Sequence, residues 1–255
     1  MTATPLAGKI ILVTRPAEQA AGLSRMIRDA GGVPVVFPAI EIREPSQADR
    51  LAEVLDRLNE FDLAIFVSPT AVARAFEYLD PDQNWPRGLG VAAVGQGSAW
   101  ALKVSGINKV IAPSGQSDSE ALLALPELQN VAGKRIVIFR GEGGRELMAQ
   151  TLARRGASVE YAECYRRARP DADITPLLRQ HERQPFSAII LTSREGLANL
   201  RDMLGRVWDS FKSVPAFVPH ERIAEAARQL GMTSVHVAAA GDAGTMRTMI
   251  KFFQS

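Results

Sequence analysis

Side chains able to bind an anion recur immediately after short apolar runs. Thr14 and Arg15 follow IILV, Ser68, Pro69 and Thr70 follow LAIFV, and Gly95, Gln96, Gly97 and Ser98 follow GVAAV. In the second half of the chain, Arg140 and Gly141 follow RIVIF, Thr192, Ser193 and Arg194 follow SAIIL, and Pro219 and His220 follow PAFV. A guanidinium clamps a carboxylate through two parallel hydrogen bonds. Hydroxyls and free backbone N–H groups just ahead of a helix accept the same kind of ligand. The pattern therefore points to recognition of carboxylates by many separate contacts. Each residue also has a structural reading. Ser68 and Ser193 suit helix N-caps equally well, an arginine at a strand end can pair with a neighbouring acid, and a lone loop histidine such as His220 is ordinarily surface. No nucleophile, base and acid triad is apparent. One cysteine and three scattered histidines argue against a metal site.

Placing these groups requires elements that end together. IILVT is followed by Leu23, Met26, Ile27 and Ala30, a helical stripe that stops at Gly31-Gly32. Further strands are predicted at LAIFVS, GVAAVG and KVIAP, and then at RIVIF, SAIILTS, PAFVP and SVHVAAA. Strands apolar on both faces, alternating with helices, imply parallel sheets covered on both sides. In such sheets ligands sit beyond the carboxyl ends of the strands, which is where the residues above fall. The expected fold is α/β, with two doubly wound parallel-sheet lobes.

The two lobes read as an internal duplication. GKIILVTRPAEQ at Gly8 answers GKRIVIFRGEGG at Gly133, an offset of 125 positions that also pairs Arg15 with Arg140, Gly31 with Gly156 and Pro45 with Pro170. FDLAIFVSPTAV at Phe61 answers FSAIILTSREGL at Phe186 in the same register. Two segments outlast their own hydrophobic pattern. From Val33 to Glu44 the chain would reach roughly 40 Å if extended, about twice a usual strand. Its second part alternates Ile40 and Ile42 with Glu41 and Arg43, as a ribbon with one wet side does. Ser158 to Arg169 behaves likewise, with Tyr165 among charged neighbours. Both are expected to leave one lobe as strands and enter the other. The expected organisation is a discontinuous first lobe of residues 1–36 and 171–255, a second lobe of 46–160, and a crossover ladder of 37–45 and 161–170.

Composition narrows the function. A net charge of +2, from 30 basic and 28 acidic residues, lacks the field of a dedicated nucleic-acid binder. Cys164 is the sole cysteine, so no internal disulfide can form, and the start MTATPLAGK has no apolar core of a signal peptide. A cytoplasmic location is expected, with no membrane contact, since no run of about 18 apolar residues occurs. A nicotinamide site is disfavoured: GQGSAW has tryptophan, and RGEGGRE glutamate, where a dinucleotide fingerprint needs its third glycine. A phosphorelay receiver would need acidic residues clustered at strand ends. A non-catalytic, hinge-bending solute-binding protein is the main alternative, because it too has two α/β lobes with crossover strands.

The strand ending in VTRP, then GGVPVVFPAIEI, FVSPTAV, AVGQGSA, the return strand with Tyr165, and LTSREGL occur in an order that resembles the uroporphyrinogen-III synthase family over nearly the whole chain. The resemblance implies two α/β lobes joined by a two-stranded antiparallel β-ladder, the first lobe being assembled from both chain ends. It implies a hydro-lyase of heme biosynthesis that cyclises the linear tetrapyrrole hydroxymethylbilane to uroporphyrinogen III, with loss of water and inversion of ring D. It further implies no cofactor, a monomer, and transient contact with the preceding enzyme of the pathway. Tyr165 matches the family tyrosine thought to help expel the substrate hydroxyl. Its phenol, protonated at neutral pH, could donate a hydrogen bond or a proton; ladder packing is its structural alternative. Thr14, Arg15, Ser68, Gly97, Ser98, Arg140, Thr192, Ser193 and His220 are the expected substrate contacts. At His220 the sequence departs from the small hydroxyl residue common at that turn in the family, whereas Ser98 keeps one in the other lobe.

Overall fold

The computed structural model describes residues 4–79, 85–115, 118–239 and 241–254. In chain order its elements are β1 (Ile10–Val13), α1 (Ala17–Asp29), β2 (Val33–Val36), β3 (Glu41–Arg43), α2 (Ala48–Asp56), β4 (Leu63–Phe66), α3 (Pro69–Tyr78), β5 (Gly90–Ala93) and α4 (Gln96–Val104). There follow α5 (Ser119–Leu123), β6 (Arg135–Gly141), α6 (Leu147–Arg154), β7 (Ser158–Ala168), α7 (Thr175–Arg183), β8 (Ala188–Ile190), α8 (Arg194–Leu204), α9 (Trp208–Phe211), β9 (Ala216–Val218), α10 (Glu221–Gln229), β10 (Val235–Val237) and α11 (Gly241–Gln254). The chain divides into two compact units, Met1–Ile42 with Ala168–Ser255, and Arg43–Arg167. It passes between them twice.

The first unit holds a five-stranded sheet in the order β10-β9-β8-β1-β2. Ile10 lies level with Val33 of β2, and Ile11 with Ala188 of β8, all in parallel. β1 is buried along its whole length because its side chains alternate between two helical layers. Ile10 and Leu12 face Leu197, Leu200 and Leu204 of α8 and Ile223 and Ala227 of α10. Ile11 and Val13 face Leu23 and Ile27 of α1 and Met246 and Met249 of α11. The stripe predicted for α1 is the face it buries. Gly31 then ends the helix turn with φ +84°, and a Cβ there would stand 2.8 Å from Cβ of Thr4, so both backbone and space call for glycine.

The second unit has the sheet order β3-β7-β6-β4-β5. Leu63 of β4 is level with Gly90 of β5 and with Ile136 of β6, and Arg135 with Ser158 of β7. One face packs Leu63, Ile65, Ile136 and Ile138 against Leu122 and Leu123 of α5 and Met148 and Leu152 of α6. On the other, the rings of Phe66 and Phe139 stack 4.5 Å apart, with Phe76 of α3 and Trp85 extending the aromatic group.

Three strand expectations need correction. KVIAP forms no strand; only Ile111 pairs, through bonds to Val91 and Ala93, because Pro113 supplies no N–H to carry the ladder further. Of SVHVAAA, whose last residue lies outside the described ones, the described residues are regular only over Val235–Val237. The segment from Val33 to Glu44 is two strands rather than one: the Phe37 N–H still bonds to Val13 of β1 and the Ala39 N–H to Thr14 just beyond it, and the ladder stops there, before β3. Its counterpart β7 is a single eleven-residue strand.

Candidate active site

All the pairings within β5, β4, β6 and β7 are parallel, so their carboxyl ends share one edge of the second unit's sheet. Ser68 leaves β4 in extended conformation and its Oγ accepts the Ala71 N–H at 3.0 Å, capping α3, with Pro69 at the first helical position where an N–H is not needed. Gly95 takes the equivalent position before α4, which puts Gly97 and Ser98 in that helix's first turn, Gly97 exposed and Ser98 buried. Gln96 turns away to donate to the Pro113 carbonyl at 2.7 Å.

Tyr165 belongs to this edge. Its side chain is only 2% exposed, and the phenol oxygen stands 3.3 Å from Ser68 Oγ. The Arg167 guanidinium lies 6.0 Å from the ring centroid. Beside it, Cys164 is fully buried and donates to the Ala162 carbonyl at 3.2 Å. Burial disfavours the thiolate and pushes the Cys164 pKa up to about 12.

Arg140 is the next-to-last residue of β6, with its side chain almost wholly enclosed. Its Nη1 meets Glu146 Oε1 at 3.2 Å, its Nε donates to the Gly141 carbonyl, and its guanidinium lies 4.5 Å from the centroid of the Tyr161 ring. Tyr161 in turn donates to Glu146 Oε2 at 2.7 Å. That hydrogen bond, with a smaller effect of Arg140, holds the Glu146 carboxyl below its ordinary range against an opposing effect of burial. Burial first, and the adjacent carboxylate second, push the Tyr161 phenol up to about 12. The loop from β6 to α6 is tied further by the Gly143 N–H to Glu163 and by Glu142 to the backbone and hydroxyl of Ser46. A cavity of about 190 Å³ opens between α2 and β7, lined by Gln47, Arg50, Leu51, Tyr161 and Glu163.

In the first unit, the ends of β1, β8 and β9 carry Thr14 and Arg15, Thr192 and Ser193, and His220. Thr14 is buried and donates to the Ile190 carbonyl at 2.8 Å, stitching β1 to β8. Arg15 pairs with Asp242 of α11 at 2.6 Å. Ser193 caps α8 by accepting the Gly196 N–H at 2.9 Å, while Thr192 is half-buried beside it. His220 is exposed at the start of α10, with no side-chain capping bond. Arg15 and Arg140 thus each have an acidic partner; Asp242, in the first turn of α11, and Glu146, just before α6, were not visible as such in the sequence, because spacing does not show which acid reaches which strand end. Among the described residues no group of histidine, cysteine and acidic side chains could hold a metal ion. No helix among them is long and apolar enough to cross a membrane.

A model of the family described as Uroporphyrinogen-III synthase HemD matches residues 21–247 of this chain. The chain belongs to the uroporphyrinogen-III synthase family. It is 38% identical over 231 residues to the uroporphyrinogen-III synthase of Escherichia coli strain K12, covering 89% of this chain and 94% of that one. Identity to the enzyme of Salmonella typhimurium strain LT2 is 39% over 233 residues, with the same coverage. Among solved structures, a mutant uroporphyrinogen III synthase of the extremely thermophilic bacterium Thermus thermophilus superposes with a TM-score of 0.61 at 17% identity, over 97% of this chain and 99% of that one. The Helicobacter pylori protein gives a TM-score of 0.61 at 15% identity, over 96% and 99%. These two likenesses bear on the fold, and agree with an α/β chain of two parallel sheets; family membership rests on the sequence matches.

Proposed function

We propose that this chain is a hydro-lyase that closes hydroxymethylbilane to uroporphyrinogen III, with the Tyr165 phenol assisting departure of the substrate hydroxyl. The family assignment supports the reaction, and one observation supports the residue: the Tyr165 hydroxyl lies 3.3 Å from Ser68 at the carboxyl edge of a parallel sheet, the edge where ligands sit in such folds. Hydrogen bonding or proton donation from the phenol lets the hydroxymethyl C–O bond break and water leave. The resulting azafulvene cation is already stabilised by pyrrole nitrogen, so ionisation needs little help. Ring closure at the substituted carbon of ring D, through a spiro intermediate, followed by C–C cleavage, reclosure and loss of a proton, gives the inverted isomer. Because the free substrate closes unaided to the uninverted isomer, the larger demand on the protein is conformational control. Ser98, Gly97, Thr192, Ser193 and His220, with the backbone N–H groups of the helix starts beside them, are the proposed contacts for acetate and propionate arms. Arg15 and Arg140 already pair with Asp242 and Glu146, so their proposed part is to add field and to exchange that internal carboxylate for one of the substrate, while Thr14, whose proton goes to Ile190, is a proposed contact through its free lone pairs.

The finer architecture is part of the same proposal. An internal duplication is supported by strand order and register: shifting β1, β2 and β8 by 125 positions lands on β6, β7 and β4, and the pairs Ile10–Val33 and Ile11–Ala188 become Arg135–Ser158 and Ile136–Leu63. The adjacency of β3 and β7 supports the expected connecting ladder. A cytoplasmic, monomeric enzyme that takes its substrate in brief contact with the preceding enzyme fits this reading. Freshly prepared hydroxymethylbilane supplies the test. Type III product above the spontaneous background supports the proposal, whereas type I alone rejects it and favours the solute-binding alternative.

A further inference from the structure

We propose that Gly141 and Ser68 are positioning residues that together fix the Tyr165 phenol, Gly141 by lacking a side chain and Ser68 by its hydroxyl. This rests on the reading of Tyr165 as the group that assists departure of the substrate hydroxyl. Three observations carry it. First, the β6–β7 pairing shifts register at its end: Arg140 is level with Glu163, but Gly141 is level with Tyr165, so Cys164 is an extra residue. Side chains should alternate between faces, yet Cys164 and Tyr165 are both buried. The bulge therefore re-aims Tyr165 onto the neighbouring strand rather than letting it follow the pleat.

Second, the ring lies directly over Gly141. A Cβ on Gly141 would stand 2.7 Å from both Cε2 and Cζ of Tyr165 and 3.1 Å from its hydroxyl. Gly141 is not among the glycines with positive φ, so its backbone would accept alanine. The tyrosine ring is what the missing side chain makes room for.

Third, Ser68 Oγ is held by the Ala71 N–H at 3.0 Å while standing 3.3 Å from the phenol oxygen. A serine hydroxyl has one proton and two lone pairs. Accepting from Ala71 leaves Ser68 its proton, so it can donate to the phenol oxygen, and that is the arrangement the proposal requires. Tyr165 then keeps its own proton for the leaving hydroxyl. Three adjacent strands thus define where the phenol sits: β7 supplies it, β6 supports its face and β4 orients its oxygen.

The test is a pair of double-mutant cycles on isomer-resolved single-turnover kinetics: Gly141→Ala and Ser68→Ala, each with and without Tyr165→Phe. A displacement approaching 1 Å near the reacting atoms can cost on the order of a hundredfold. Gly141→Ala is therefore expected to slow type III formation about 10- to 100-fold with KM nearly unchanged, raising the share of type I. Ser68→Ala should slow it about 3- to 10-fold, and Ser68→Thr should restore most of that, since threonine keeps the hydroxyl. Once Tyr165→Phe has removed the phenol oxygen, neither substitution should slow the reaction further. Equal slowing in both backgrounds overturns the positioning role while leaving Tyr165 in place. A Tyr165→Phe enzyme with full rate and normal isomer ratio overturns the reading of Tyr165 itself. Circular dichroism reports folding; should Gly141→Ala not fold, the Ser68 cycle and its threonine rescue decide the matter.

Discussion

Alkaline pH should destabilise the protein through one thiol, and replacing Cys164 by alanine should remove that part of the loss. Cys164 sits at the bulge of β7 with no solvent exposure, and burial lifts its pKa from 9.0 to about 12. The unfolded chain therefore releases this proton first. Stability from the protonated thiol is intact below pH 9 and is lost as pH rises towards 12. At about 1.4 kcal/mol per pH unit, the whole window is worth about 4 kcal/mol, and some 2 kcal/mol is gone by about pH 10.5. Truncation to alanine carries a pH-independent cost on the order of 1 kcal/mol. Urea denaturation of both proteins from about pH 7.5 to about pH 11 should find the alanine variant less stable near neutrality and more stable above roughly pH 10. Other groups titrating in this range, Tyr161 among them, are common to both and cancel in the difference. Parallel stability curves across the range would refute the argument and place the thiol in contact with water.

Other perturbations report on separate parts of the structure. Ser193→Ala should lower unfolding free energy by about 1 kcal/mol through loss of the α8 cap, while Ser193→Asp, which still accepts the Gly196 N–H, should stay near the parent protein; equal losses would remove the capping explanation. Phe139→Ala, at a fully buried ring stacked on Phe66, should cost about 3–5 kcal/mol in the same assay, and a cost below about 1 kcal/mol would deny the stacking its weight. Glu146→Gln removes the charge that helps hold Tyr161 at about 12, so one phenol should titrate earlier in ultraviolet absorbance, though still above 10.0 because burial persists. An unchanged titration would break the assigned link.

The strands that build the site were legible because their apolar runs are continuous: IILV, LAIF, GVAA and RIVIF all lie in β1, β4, β5 and β6 as read from composition alone. The residues that follow them were legible for the same reason, since a parallel sheet places whatever comes next at one edge. Pairing was not legible. Ser68 can be seen as a cap in the sequence, but its approach to Tyr165 depends on a one-residue bulge ninety-odd positions later, which no periodicity announces. Nor does spacing distinguish an arginine awaiting a ligand from one already paired, as Arg15 is with Asp242 and Arg140 with Glu146. The break between β2 and β3 was not legible either, because it falls where the neighbouring β1 ends; proline alone does not mark it, since Pro34 lies within β2 itself.

β1 lies between β2 and β8, so on the ribosome it cannot find both of its neighbours until Ala188–Ile190 has been translated. At ordinary synthesis rates that is a wait of roughly ten to thirty seconds. Arg43–Arg167, being contiguous, has no such dependence and is complete earlier. The nascent chain therefore matures from its middle outward, and Ile10–Val13 spends that interval with unpaired backbone on one side, the period when a chaperone would matter most to it.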